Sequence, residues 1–222
     1  MPVPLLFDLD GTLVDSAITI ALALGEVSAS RGGGAVDVTR VRKLVSQGAA
    51  VLVREGLGPV AGDPAEDLAA FRAILADIPV DPSAIYPGVV DSLTALAAHP
   101  CAIVTNKPER LARLLLDELN LTRFFDVVVG GDTLTVCKPD PAPLLHALTE
   151  IGTDRAGALM IGDSMVDAAA AQAAGMPFLL FEGGYGPVDK DSLGVHMCFR
   201  DFAGLPPLVA QCGLAARVEP EA

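Results

Sequence analysis

The sequence predicts an α/β chain: a doubly wound, Rossmann-like parallel sheet, interrupted after its first strand by an all-helical domain. Three observations carry that prediction. Short apolar runs alternate with amphipathic helical stretches from residue 88 to residue 181, as repeated strand–helix units do. The stretch before them has helical spacing and no strand-like alternation. Several apolar runs end in Asp, Thr or Gly-Asp, and parallel sheets gather such groups at the carboxyl edge of their strands.

In chain order, Pro4-Leu5-Leu6-Phe7 is an apolar run closed by Asp8 and reads as a buried parallel strand. Residues 16–31 place Ile18, Leu22 and Val27 at helical intervals, and Gly32-Gly33-Gly34 ends that helix in a flexible turn. Residues 38–45, 49–57 and 65–77 are three further helices, with Asp63-Pro64 suited to start the last. The predicted helical domain spans residues 15–83, and residues 1–14 and 84–222 form the core. Prolines across 79–87 mark the return, and Gly88 opens a helix through Ala98. Strands at 102–104, 127–129, 158–161 and 178–181 then alternate with helices at 109–119, 142–151 and 165–174.

Composition narrows the function classes. The 222 residues are 51% apolar, with 28 acidic against 15 basic side chains and a net charge of −13. So few cations exclude binding that rests on a basic surface, whether to nucleic acid or to anionic lipid. Mean hydropathy is positive at +0.48, yet no apolar run reaches the roughly 20 residues of a membrane span. The first ten residues lack the basic region of a signal peptide. Cys101, Cys137, Cys198 and Cys212 form no C-x-x-C pair and read as small, buried or partly buried thiols of a reducing cytoplasm. The three histidines are not spaced with them as zinc ligands.

The chemistry gathers at strand ends. The first run gives Asp8-Leu9-Asp10-Gly11-Thr12-Leu13, and the second gives Val104-Thr105-Asn106-Lys107. Lys138-Pro139 precedes a helix, and Gly162-Asp163-Ser164 follows another run with Asp167 four residues on. If the strands are parallel, all of these meet at one edge, where three or four carboxylates repel unless a divalent cation and a lysine offset them. Oxygen-only ligands point to Mg²⁺ rather than zinc. Lys107 reads as a solvated lysine.

These motifs, in this order, resemble the haloacid dehalogenase superfamily, in its phosphatase branch with a helical cap inserted after the first motif, and the resemblance spans nearly the whole chain. It implies that Asp8 is the nucleophile that forms an aspartyl phosphate, and that Asp10 is the general acid and base. It implies Mg²⁺ held by Asp8, the backbone carbonyl of Asp10 and Asp163, with Asp167 binding it directly or behind a ligand. Thr105 and Asn106 then donate to phosphoryl oxygens, and Lys138 offsets the charge of Asp8 and phosphate. The presence of Asp10 separates the chain from dehalogenases of the superfamily. Thr12 stands where mutases of the β-phosphoglucomutase type commonly carry an apolar residue. Phosphonate hydrolysis needs a Schiff-base lysine from the cap, which offers only Lys43, beside Arg40 and Arg42.

Within the superfamily, the phrases Val104-Thr105-Asn106-Lys107-Pro108, Gly130-Gly131-Asp132, Lys138-Pro139-Asp140-Pro141, Gly162-Asp163-Ser164 and Gly183-Gly184-Tyr185-Gly186 are similar to the bacterial phosphoglycolate phosphatase family, as is Val45-Ser46-Gln47-Gly48-Ala49 in the cap. The chain departs from that family at Cys137, where charged or small residues are usual, and in an abbreviated region after Tyr185. The likeness implies hydrolysis of 2-phosphoglycolate to glycolate and phosphate. Other readings are a phosphatase of another small ester or of pyrophosphate, a β-phosphoglucomutase-like mutase, or a noncatalytic receiver-like module. A substrate bearing a carboxylate calls for a cation from the cap, and Arg42, Lys43 and Arg54 are the candidates by charge.

Overall fold

The computed structural model describes residues 2–153, 157–186 and 195–215. Its elements run β1 (Leu5–Phe7), α1 (Ala17–Ala29), α2 (Val38–Leu44), α3 (Ala49–Leu57), α4 (Pro64–Asp77), α5 (Val89–Ala95), β2 (Cys101–Val104), α6 (Glu109–Glu118), β3 (Val127–Val129), α7 (Ala142–Ile151), β4 (Leu159–Gly162), α8 (Met165–Ala174), β5 (Phe178–Phe181), β6 (Val195–Phe199) and α9 (Leu205–Ala215). The strands form one sheet in the order β3-β2-β1-β4-β5-β6, with every neighbouring pair parallel. This is the predicted doubly wound sheet with a helical cap, and β1 sits at the point where strand order reverses.

Alternate residues of each strand enter opposite layers, which is why the strands read as unbroken apolar runs. Leu5 and Phe7 join Ile103, Ile161 and Leu179 beneath α5, α6 and α9. Leu6 joins Val104, Met160 and Leu180 beneath α7 and α8. Phe202 is fully buried in the first layer, its ring centroid 4.9 Å from that of Phe181 and 5.3 Å from that of Phe199.

Helices α1 to α4 pack on one another around Leu24, Leu52, Val53 and Phe71. Asp63 caps α4 by accepting from the backbone N–H of Ala65 and Glu66 at 2.9 and 3.1 Å, and Pro64 takes the first helical position, where its missing N–H is not needed. The chain enters and leaves this helical layer side by side: Val14 bridges Ile85, Asp15 N–H donates to the Ala84 carbonyl at 2.7 Å, and Tyr86 N–H donates to the Leu13 carbonyl at 3.0 Å.

Two elements were not foreseen. β6 alternates half-buried and exposed residues along an edge strand, so it shows no apolar run. The 205–215 helix opens Leu205-Pro206-Pro207, a pair of prolines that a sequence reading takes for loop, although prolines are tolerated in a first turn. The cysteine expectation also needs correcting: Cys101 and Cys212 are buried, but Cys137 and Cys198 are exposed, and no disulfide joins any of the four.

Candidate active site

Register brings the strand ends together. Phe7 pairs with Ile103 on one side and Ile161 on the other, so Asp8 lies level with Val104 and Gly162, one step before Thr105 and Asp163. The backbone N–H of Asp8 donates to the Ile161 carbonyl at 2.9 Å. One cavity between this edge and the cap is lined by Asp8, Asp10, Thr105, Lys107, Lys138 and Asp167 from the core.

Lys138 anchors the acids. Its buried Nζ donates to Asp8 Oδ1 at 2.9 Å and to Asp167 Oδ1 at 2.6 Å. The other Asp167 oxygen accepts from the Ser164 N–H at 3.1 Å and from the Ser164 hydroxyl at 2.6 Å, a capping box at the start of α8 that fixes the carboxylate. Asp163 accepts from the Thr12 hydroxyl at 2.9 Å and from the Tyr185 N–H at 2.7 Å. Two glycines make room for it: a Cβ on Gly184 would stand 2.3 Å from the Asp163 Cβ and 2.4 Å from the Gly11 carbonyl oxygen, and Gly11 itself has φ of +89°.

Carboxylate oxygens of Asp8, Asp163 and Asp167 lie within 4.8 Å of one another, all three residues buried. Burial, then the Asp167 charge, raises the pKa of Asp8 even though Lys138 opposes the shift. Burial, then Asp167 and Asp8, raises that of Asp163. Burial works against the charged form of Lys138, but Asp167 and Asp8 outweigh it and its pKa rises. Lys138 pairs with two of the three acids and not with Asp163, and the uncompensated negative charge suits a hard divalent cation with oxygen ligands. The carboxylate of Asp10 stands outside this cluster; it accepts from the Ser16 hydroxyl at 2.5 Å and from Lys107 Nζ at 3.1 Å to both oxygens.

Several expectations change here. Lys107 is not a solvated lysine: its side chain is 8% exposed and clamps Asp10. Its place two residues after Thr105, on the same strand-end loop, was the signal that it belongs to this edge. Thr105 is buried, and its hydroxyl oxygen accepts from the Lys107 N–H at 3.2 Å, leaving the hydroxyl hydrogen to donate into the cavity. Asn106 commits one amide hydrogen to the Lys138 carbonyl at 2.9 Å, so it holds the lysine's loop. None of the three candidate cap cations, Arg42, Lys43 and Arg54, lines the cavity, and Arg42 is paired with Asp15 at 2.7 Å and Arg54 with Glu55 at 3.1 Å. Arg72, which the sequence reading did not single out, does line it.

A parallel sheet carrying clustered carboxylates and a buried lysine at its carboxyl edge, under a helical cap, is the build of a hydrolase. The chain belongs to the haloacid dehalogenase-like hydrolase family, whose model matches residues 5–181. It is 42% identical over 218 residues to the phosphoglycolate phosphatase of Rhodospirillum rubrum, covering 92% of this chain and 90% of that one. It is 39% identical over 213 residues to the phosphoglycolate phosphatase of Rhodobacter capsulatus, covering 92% and 95%. Among solved structures it is similar to a predicted phosphoglycolate phosphatase from Haemophilus somnus, at 26% identity and a TM-score of 0.79 over 93% of this chain and 97% of that one. No helix among the described residues is long and apolar enough to cross a membrane.

Proposed function

We propose that the chain hydrolyses a small phosphate monoester through an aspartyl phosphate on Asp8, with 2-phosphoglycolate as the substrate and Mg²⁺ as the cofactor. The observation that carries this reading is Asp8 held by Lys138 at 2.9 Å inside the carboxylate cluster, facing a cavity that also receives Asp10. The two relatives named above are phosphoglycolate phosphatases along nearly their whole length, which supports the choice of substrate. Residues 1–14 and 84–222 serve as the catalytic core and residues 15–83 as the cap. Four cysteines without a disulfide fit a cytoplasmic setting.

Asp8 attacks phosphorus, and the phosphorus–ester oxygen bond breaks. Asp10, oriented by Ser16 and Lys107, gives its proton to the departing alkoxide. The same carboxylate then takes a proton from water, which attacks the aspartyl phosphate, frees inorganic phosphate and restores Asp8. Thr105 donates its hydroxyl hydrogen to a phosphoryl oxygen, and Lys138 balances the charge on Asp8 as it meets the phosphate. Asp8, Asp163 and the Asp10 carbonyl would hold Mg²⁺, with Asp167 beside them; the ion supplies the positive charge that screens nucleophile from phosphate. The cap covers the cavity and excludes bulk water while the acyl phosphate exists.

Asp8→Asn removes the nucleophile and keeps the side chain's shape. The variant is expected to lose all measurable release of phosphate from 2-phosphoglycolate while its circular dichroism and melting curve stay those of a folded protein. Mg²⁺-dependent turnover persisting in that variant contradicts the assignment.

A further inference from the structure

Arg72 sits on α4, next to the buried Phe71, and borders the same cavity as Asp8 and Asp10. Its Nε is buried and has no hydrogen-bond partner, and the residue forms no ion pair among the described residues. That is unusual in a chain with nearly twice as many acids as bases, where Arg42 and Arg54 each have a carboxylate. The other two cations on the cavity are committed, Lys107 to Asp10 and Lys138 to Asp8 and Asp167. A guanidinium with a buried, unmatched N–H next to a reaction cavity lacks an acceptor that a bound ligand can supply.

We propose that Arg72 is the specificity-determining residue of this enzyme: it receives a second anionic group, a carboxylate on the leaving-group side of the phosphate ester. The inference rests on the phosphatase reading above. The phosphoryl group is held at the strand ends by core residues, and the leaving group therefore points toward the cap, where Arg72 is the cation of the cavity lining that is not already paired. A guanidinium meets a carboxylate with two parallel N–H donors, so it distinguishes a short phosphorylated hydroxy acid from a phosphorylated neutral alcohol of similar size. Arg72 touches the leaving group and takes no part in the transfer itself.

The test compares wild type, Arg72→Met and Arg72→Lys on 2-phosphoglycolate and on p-nitrophenyl phosphate, which has no carboxylate, all with saturating Mg²⁺. Arg72→Met is expected to lower kcat/KM for phosphoglycolate about a hundredfold, or about 2.7 kcal/mol, and to leave the value for p-nitrophenyl phosphate within about threefold. Arg72→Lys, which keeps the charge but not the fork, should recover part of the loss. An equal loss on both esters, or no loss on either, with melting temperatures unchanged, overturns the role of Arg72 while the phosphatase stands. A wild type that cleaves neither ester overturns the phosphatase reading itself.

Discussion

Lys138→Met in the metal-free protein isolates the electrostatic element on which the site is built. Lys138 is 3% exposed and has ionic contacts at 2.9 Å to Asp8 and 2.6 Å to Asp167. At an effective dielectric of about 20, each contact corresponds to about 6 kcal/mol of attraction, most of it offset by the cost of desolvating the ammonium. Methionine fills the same volume and leaves two buried carboxylates facing each other without a counter-charge. Removing one partner from a buried ionic cluster costs about 3–5 kcal/mol. For a chain of this length that lowers the melting temperature by about 6–20 °C.

The pH dependence gives the mechanism away. In wild type the pKa of Lys138 is raised by Asp167 and Asp8 against the effect of burial, so its contribution is complete below the ordinary lysine range and is lost only above it. In the variant the orphaned acids can recover by binding protons, so the gap to wild type should be widest near about pH 8 and should narrow toward about pH 5. Adding Asp167→Asn removes one of the two opposed charges and should return about 1–3 kcal/mol of coupling in a double-mutant cycle. Thermal melts in a chelating buffer measure all four proteins of the cycle, Asp167→Asn alone included. If Lys138→Met melts within about 2 °C of wild type near pH 8, or if the gap is the same at both pH values, the lysine is not the charge balance of the site.

Two further outcomes follow from the same cluster. Asp8, pushed up to about 7, and Asp163, pushed up to about 8, each hold a proton in the folded state at pH values where the unfolded chain has released it. The metal-free protein should therefore lose melting temperature as pH rises from about 4 to about 8, and Mg²⁺ should restore more near pH 8 than near pH 5; a metal-free melting temperature that climbs through this window refutes the crowding argument. Gly184→Ala drives a methyl carbon to within 2.3 Å of the Asp163 Cβ and 2.4 Å of a backbone oxygen, so the loop or Asp163 must shift. Its half-saturating Mg²⁺ concentration, measured by phosphate release, should rise about tenfold or more, a cost of about 1.4 kcal/mol, and an unchanged Mg²⁺ titration shows that Gly184 does not shape the site.

How much of this was legible in the sequence depended on whether the signal was local. Leu5-Leu6-Phe7-Asp8 shows both its strand and the place of Asp8 at the sheet edge, because a parallel strand buried on both faces must be an apolar run and its next residue stands at that edge. Asp163 and Asp167 were legible for the same reason, with Ser164 capping the following helix between them. β6 was not, since an edge strand needs only one apolar face. Which cap cation faces the cavity is not legible in the sequence, because charge and helix are local properties and facing is not. Arg42 turns to Asp15 at the core–cap crossing, while Arg72 reaches the cavity through the packing of α4 on α1 and α3, which no spacing within α4 encodes. Lys107 does carry a local signal: it shares the Thr105 loop, and that proximity outweighs the usual solvation of a loop lysine.

The net charge of −13 and an anionic substrate are compatible because the site balances its own charges. Fully ionised, Asp8, Asp10, Asp163 and Asp167 outnumber Lys107 and Lys138 by two charges; without metal, protons on Asp8 and Asp163 relieve that excess. A divalent cation cancels that excess, so an incoming phosphate meets a local environment near neutrality instead of the field of the whole chain. The phosphate then adds two negative charges that only the screening by ion, lysine and Thr105 can distribute. A carboxylate on the leaving group adds a third, and the core has no cation left for it. On the proposed function the cap supplies one, and Arg72, on the cavity wall and in no ion pair among the described residues, is placed to do so. An acid placed beside Arg72 would make the cap locally neutral and remove the preference, so Leu75→Glu, which puts a carboxylate on the same cavity wall three positions along α4, should weaken phosphoglycolate hydrolysis more than p-nitrophenyl phosphate hydrolysis.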